Sequence, residues 1–192
     1  MAKSFKIYLD DLEQPGIIFT FGRFQPPGIG HYLNAKFIND YAKKHKIEGV
    51  IYTSQIHNSK KNPLVYSDKL FFLEQMVKDL PYVRISRDNV FKNAFQILED
   101  LIQNKKYKRI VFAVGEDRVN DFQNLYKYAK IWDPNVSFKI VNTGSRTEGI
   151  SGTDMRNYVK NNNFKKFKEG LPSTLKKYSK ELFEKVKIGL KG

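Results

Sequence analysis

The chain has 192 residues, enough for one domain, and a hydrophobic fraction of 41% that supports a packed core rather than disorder. It contains no cysteine, which excludes disulfides, thiolate metal sites and thiol catalysis. Lys and Arg number 34 against 20 Asp and Glu, a formal net charge of +14. That balance suits an anionic partner, whether nucleic acid, a phosphorylated metabolite or a membrane surface. A lysine-rich solvated surface accounts for the same charge without any partner.

In chain order, Met1 to Asp10 is too polar for a signal peptide. No stretch reaches the roughly 18 consecutive apolar residues of a membrane span. The expected location is cytoplasmic, with no membrane partner. Ile17 to Phe21, Val50 to Thr53 and Ile110 to Val114 are short, nearly unbroken apolar runs, the pattern of strands buried on both faces of a parallel sheet. Tyr82 to Ser86 is a weaker strand candidate. Val136 to Val141 alternates through Val136, Phe138 and Ile140, as a half-exposed edge strand would. Helical spacing fills the gaps: Leu33, Phe37, Ile38 and Tyr41; Leu70, Leu73 and Val77; Phe91, Ala94, Phe95, Leu98 and Ile102. Asn161 to Asn163 marks a helix end. A long amphipathic helix is expected over Leu175, Tyr178, Leu182, Val186 and Leu190. Alternating strands and helices predict an α/β fold with a parallel sheet, and ligands in such sheets sit beyond the carboxyl ends of the strands.

The residues after the first strand are Gly22, Arg23, Phe24, Gln25, Pro26, Pro27, Gly28, Ile29, Gly30 and His31. Gly28 and Gly30 let backbone approach a ligand closely. His31 falls in the first helical turn, where free N–H groups attract phosphate. Arg23 offers a bidentate donor fork at the strand mouth. The segment is neither a dinucleotide fingerprint, since Leu33 stands where the third glycine would be, nor a P-loop. A plain glycine-rich turn with a capping histidine would also give this pattern.

Near the other end, Ile150, Ser151, Gly152, Thr153, Asp154, Met155 and Arg156 open a helix. Ser151 with Asp154 fits a capping box. Thr153 and Arg156, three apart on one helical face, can aim a hydroxyl and a guanidinium at phosphate on the helix N-terminus. Between the two, Gly115, Glu116, Asp117 and Arg118 end the third apolar run; Asp117 can accept ribose hydroxyls and Arg118 can reach phosphate. Lys61, Asn62 and Pro63 follow the second strand. The three histidines are scattered and no acidic cluster has metal-ligand spacing, so no protein metal site is expected. Trp132 is expected in the core or at an interface.

Gly22-Arg23-Phe24-Gln25-Pro26 followed by Gly30-His31 resembles the signature of the HxGH nucleotidyltransferases, the cytidylyltransferase-like superfamily. The closest form is that of archaeal-type nicotinamide-mononucleotide adenylyltransferases and their phage relatives. Residues 150–156 resemble the superfamily's second signature, Ile-Ser-Ser-Thr-x-x-Arg. The two lie in the expected order about 120 residues apart. Here Gly28 replaces the first signature histidine, removing a phosphate-contacting side chain. Ser67, Asp68 and Lys69 stand where the relatives carry an arginine.

The resemblance implies a Rossmann-like parallel sheet of about five strands flanked by helices. It implies one nucleotidyltransferase domain over residues 1–192, with a core over about 16–160 and a C-terminal helical segment over about 161–192. It implies transfer of a nucleotide monophosphate, with ATP favoured as donor, to a phosphorylated acceptor such as nicotinamide mononucleotide. Pyrophosphate is released and Mg²⁺ is carried by the triphosphate, which would place the chain in NAD biosynthesis.

The implied catalytic residues are His31, Arg23 and Arg156. Gly22, Phe24, Gly28, Gly30, His31, Gly115, Asp117, Arg118, Ser151, Gly152, Thr153 and Arg156 would bind nucleotide; Lys61 and Asn62 would bind acceptor. Two alternatives stay open: a cytidylyltransferase acting on a phosphorylated alcohol, and a catalytically weak relative that binds nucleotide or nucleic acid. The Lys-rich segment from Leu175 to Leu190 suggests weak, sequence-blind nucleic-acid binding. Oligomeric state is not encoded in any pattern read here.

Overall fold

Five short β-rich runs become the strands of one parallel sheet in a computed structural model that describes residues 15–144 and 150–192. The Met1 to Asp10 stretch lies outside the described residues. The strands are β1 (Gly16–Gly22), β2 (Glu48–Thr53), β3 (Val83–Ile85), β4 (Arg109–Val114) and β5 (Ser137–Asn142), in the order β3-β2-β1-β4-β5. Between them run α1 (Ile29–His45), α2 (Tyr66–Met76), α3 (Ala94–Gln103) and α4 (Asn124–Trp132). After β5 come α5 (Gly152–Lys160), α6 (Phe164–Glu169), a 3₁₀ segment (Ser173–Tyr178) and α7 (Ser179–Lys191). This is the Rossmann-like α/β architecture with C-terminal helices. No described helix is long and apolar enough to cross a membrane.

The unbroken apolar runs have a direct packing reason. Ile18, Ile51 and Val111 face one side of the sheet, in a core that includes Ile38, Phe72 and, from the C-terminal helices, Phe167, Leu182 and Val186. Their neighbours Ile17, Phe19, Val50, Ile110 and Phe112 face the other side, against Ile97, Leu101 and Ala129. With both faces covered, alternation has no polar partner to alternate with. Each such side chain contributes roughly 1.5–3 kcal/mol by leaving water. β3 and β5 are the edges, and β5 keeps its expected alternation: Phe138 is buried between exposed Ser137 and Lys139.

Two features place the site. First, β1 lies between β2 and β4, so successive crossovers leave it in opposite directions. The crevice at the carboxyl ends of β1 and β4 is the topological switch point. Second, α5, α6 and α7 fold back onto the same face as α1 and α2. The three asparagines divide the labour at the α5–α6 corner: Asn161 ends α5, Asn162 takes a left-handed turn at φ 52°, and the Asn163 side chain accepts the Lys166 N–H to start α6.

The expected long helix from Leu175 does not begin there. Ser173–Tyr178 is 3₁₀ and α7 starts at Ser179. The Leu175 N–H closes a tight turn on the Pro172 carbonyl, and the Thr174 hydroxyl donates to the Met76 carbonyl at the end of α2. That buried anchor fixes the turn against α2 before the α-helix begins.

Candidate active site

β1 delivers the chain into a loop held open by a close approach. A Cβ on Gly22 would lie 2.8 Å from the Phe24 ring, and Phe24 itself is buried in the left-handed region at φ 49°. Glycine at 22 is therefore required for Phe24 to fold back beneath the loop. The Phe24 ring then packs on the His31 imidazole, with centroids 4.8 Å apart.

α1 begins without a capping hydroxyl. Gly28 is the N-cap, and His31 does the work in reverse: the Gly28 N–H donates to His31 Nδ1 at 3.2 Å. With Nδ1 accepting the Gly28 N–H, the proton of the neutral ring belongs on Nε2. His31 thus presents a donor nitrogen on the wall of a cleft of about 430 Å³. The helix N-terminus adds its dipole to the same space. The Gly28 backbone is extended (φ −147°), open to any residue, yet a Cβ there would sit 3.2 Å from the Gly170 carbonyl oxygen.

α5 opens the opposite wall. Ser151 and Asp154 form a reciprocal capping box: Ser151 N–H and Oγ donate to Asp154 Oδ2 at 2.8 and 2.7 Å, and the Asp154 N–H donates back to Ser151 Oγ. These bonds hold the Asp154 carboxyl below the usual carboxylate range. The side chains of Ser151 and Asp154 are thereby committed to the helix.

Thr153 and Arg156 are differently placed. Arg156 Nη1 donates to the Gln25 carbonyl at 2.7 Å, and Nη2 donates to Thr153 Oγ1 at 3.0 Å. Two bonds of five leave N–H groups for a ligand. Burial first, and then the charge of Arg23, push the Arg156 guanidinium below its ordinary value. Arg23, Arg156, Thr153 and His31 all line the one cleft, and neither arginine has an ion-pair partner among the described residues. Two uncompensated like charges facing each other are tolerable where an anion is to come between them.

The remaining wall comes from the ends of β4 and β5. Gly115 and Arg118 line the cleft, as do Gly22, Phe24, Gly28, Gly30, Ser151 and Gly152. Arg118 pairs with Asp121 at 3.4 Å and lies over the Phe122 ring. Asp117 lies within the 3₁₀ turn Glu116–Arg118, and its side chain is outside the described residues. Lys61 and Asn62 are not on the cleft wall. Lys61 is exposed, while Asn62 is buried and bridged to Asn58 through the backbone. Trp132 packs edge-on against Phe95 in the second core.

Three residues escaped the sequence reading. Gln25 clamps the loop after β2: its Nε2 donates to the Leu64 carbonyl and its Oε1 accepts the Leu64 N–H, both at 2.8 Å. Asn34, one turn beyond His31 on α1, lines the cleft with a buried Oδ1 that has no hydrogen-bond partner among the described residues. A polar residue beside the apolar stripe of α1 was the available signal. Lys69 is fully buried and donates from Nζ to the Ser54 carbonyl at the end of β2; burial pushes it down to about 8. Its place, where relatives carry arginine, was the hint.

The fold agrees with what known proteins show. The sequence profile of the cytidylyltransferase-like family matches residues 19–158. No curated protein sequence matches at a significant level. Among solved structures, a Vibrio parahaemolyticus protein provisionally described as a nicotinate-nucleotide adenylyltransferase aligns over 93% of this chain and 97% of its own, with TM-score 0.57 and 18% identity. Thermotoga maritima TmcAL, bound to α-thio ATP, aligns over 89% of this chain and 55% of its own, with TM-score 0.48 and 11% identity. With a profile match spanning both signature loops and the sheet between them, the chain belongs to the cytidylyltransferase-like family of nucleotidyltransferases.

Proposed function

We propose that the chain transfers AMP from ATP to a phosphorylated small-molecule acceptor, with nicotinamide mononucleotide the favoured candidate. The observation that carries this reading is the convergence of Arg23 and Arg156, neither with an ion-pair partner among the described residues, on the cleft wall beside the N-termini of α1 and α5. An oxygen of the acceptor phosphate attacks the α-phosphorus of ATP in line, the bond from that phosphorus to the β-bridging oxygen breaks, and pyrophosphate leaves. No covalent enzyme intermediate is required, so the protein contributes positioning and neutralisation of charge. Arg23, Thr153 and Arg156 hold the departing pyrophosphate; His31 Nε2–H donates to the α-phosphate as charge builds there. Gly115, Asp117 and Arg118 address the nucleoside, and Lys61 with Asn62 the acceptor side, which requires the loop carrying them to reach the cleft. The resemblance of the first signature, Gly22 to His31, to that of archaeal-type adenylyltransferases and their phage relatives supports the choice of ATP and this acceptor.

Among the described residues no group of three or more acids and histidines could hold a metal, and the cleft acid Asp154 is engaged by Ser151. Mg²⁺ would enter with the triphosphate, as part of the substrate. Pyrophosphate release, followed across ATP and CTP against nicotinamide mononucleotide and phosphorylated alcohols, tests the reading. Turnover with ATP and the mononucleotide is expected. Turnover with CTP and a phosphorylated alcohol would reassign the chain to cytidylyl transfer, and none with any pair would leave a nucleotide-binding relative.

A further inference from the structure

The charge of the chain is not spread evenly. Residues 156–192 hold eleven Lys and Arg against three Glu, a net +8 of the total +14. The inner faces of these helices are spent on the core through Phe167, Leu171, Leu175, Leu182, Phe183 and Val186. The lysines are thus confined to the outer face. Lys165 and Lys168 of α6 and Lys176 of the 3₁₀ segment meet around a shallow recess of about 360 Å³, with Phe164 and Glu169 completing its wall. All three lysines are exposed, and none has an ion-pair partner among the described residues. Phe164 stands edge-on to Phe183 at 5.4 Å and is only half-buried, so part of its ring faces the recess. Next to Glu169, Gly170 accepts a hydrogen bond from the Ile29 N–H at the start of α1, which puts the recess on the flank of the nucleotide cleft.

We propose that this recess and its lysines bind a single strand of nucleic acid alongside the cleft. Separate lysines are point charges suited to successive phosphodiesters, and an aromatic wall accepts a base of any identity by stacking. The recess is open and offers no convergent donor set for one small anion. A membrane surface is disfavoured because a helix lying on lipid must turn an apolar face outward. Here that face is in the core, and Ile188 is the one large apolar residue of this segment that is strongly exposed. The inference goes beyond the transferase reading and does not depend on it.

The test is fluorescence anisotropy of a labelled 20-nucleotide single-stranded oligonucleotide of mixed sequence at 50 and 200 mM NaCl. Three phosphate contacts on a single strand predict roughly 20-fold weaker binding at the higher salt. The K165E/K168E/K176E variant is expected to lose at least about tenfold in affinity and most of the salt dependence. The charge-matched variant K44E/K78E/K127E should bind like the parent. The rise in melting temperature with ATP should be the same in all three proteins, so loss of nucleotide binding is read separately. No oligonucleotide binding at 50 mM salt, equal losses in both triple variants, or stronger binding to phosphatidylserine vesicles than to the oligonucleotide would each overturn the proposal.

Discussion

The backbone carbonyl of Gln25 accepts a 2.7 Å hydrogen bond from Arg156, a residue 131 positions further along the chain. The same Gln25 grips Leu64 by its side chain. One buried residue thus ties together the first signature loop, the second signature helix and the loop after β2. Gln25→Ala should strand both Leu64 backbone groups in a buried place. Leaving such a group unsatisfied costs about 1–3 kcal/mol, so urea denaturation should show a loss of roughly 2–4 kcal/mol. The Arg156 bond goes to backbone and should survive, so ATP affinity should fall far less than stability.

Arg156→Ala should weaken triphosphate binding by about 10- to 150-fold, the equivalent of roughly 1.5–3 kcal/mol for a charge-assisted donor. AMP binding should change little. Isothermal titration with ATP and AMP separates the two, and equal losses would show that Arg156 does not address the leaving pyrophosphate.

His31→Ala should cut kcat by about 10²-fold or more with a modest change in nucleotide affinity, because a donor aimed at developing charge acts mainly in the transition state. It also removes the acceptor of the Gly28 N–H, so His31→Asn, which can still cap, is the companion variant. Full turnover in either would remove His31 from the chemistry.

At first sight Gly28→Thr restores a side chain that relatives carry, and unchanged or higher activity would be expected. The packing argues otherwise. A Cβ at Gly28 would sit 3.2 Å from the Gly170 carbonyl oxygen, so Gly170 must shift by a few tenths of an ångström, with Met155 and Ile150 packed closely behind it. Overpacking of this kind costs about 1–3 kcal/mol. Gly28→Thr should lower the melting temperature measurably, and Gly28→Ala less.

Lys69 gives a pH dependence with a definite sign. Below pH 8 the folded and unfolded chains both carry the proton, and the buried charge weighs against the native state. Between about 8 and the ordinary value of 10.5 the native state sheds the proton first. The unfolded state then binds more protons, so unfolding free energy rises with pH, by about 2 kcal/mol between pH 8 and 9.5. Above pH 10 the trend reverses, because burial raises Tyr41, Tyr52, Tyr66 and Tyr107, the last to about 12. Urea titrations across pH 7.5 to 9.5 should show the rise in the parent and none in Lys69→Met.

The strands, the edge character of β5, and the capping roles of Ser151 and Asp154 were legible in the sequence because each depends on neighbours two to four residues away. Placement of Arg23, His31, Thr153 and Arg156 on one cleft followed from motif order and the geometry of strand ends. What stayed hidden depends on contacts across the fold. No periodicity announces that Gln25 meets Leu64, or that a lysine will be walled in behind Ser54. Lys61 and Asn62 show the converse: a motif fragment marks a segment, but the direction of its side chains is set by how the loop docks.

The bond from the Ile29 N–H to the Gly170 carbonyl makes the C-terminal part of the chain a footing for the loop that opens α1. Any free energy that this bond carries from a ligand on α1 to the α6–α7 tail is carried equally in the other direction. If both proposals hold, the two ligands sit on either side of Gly170, and an ATP titration with and without the oligonucleotide reads that exchange directly.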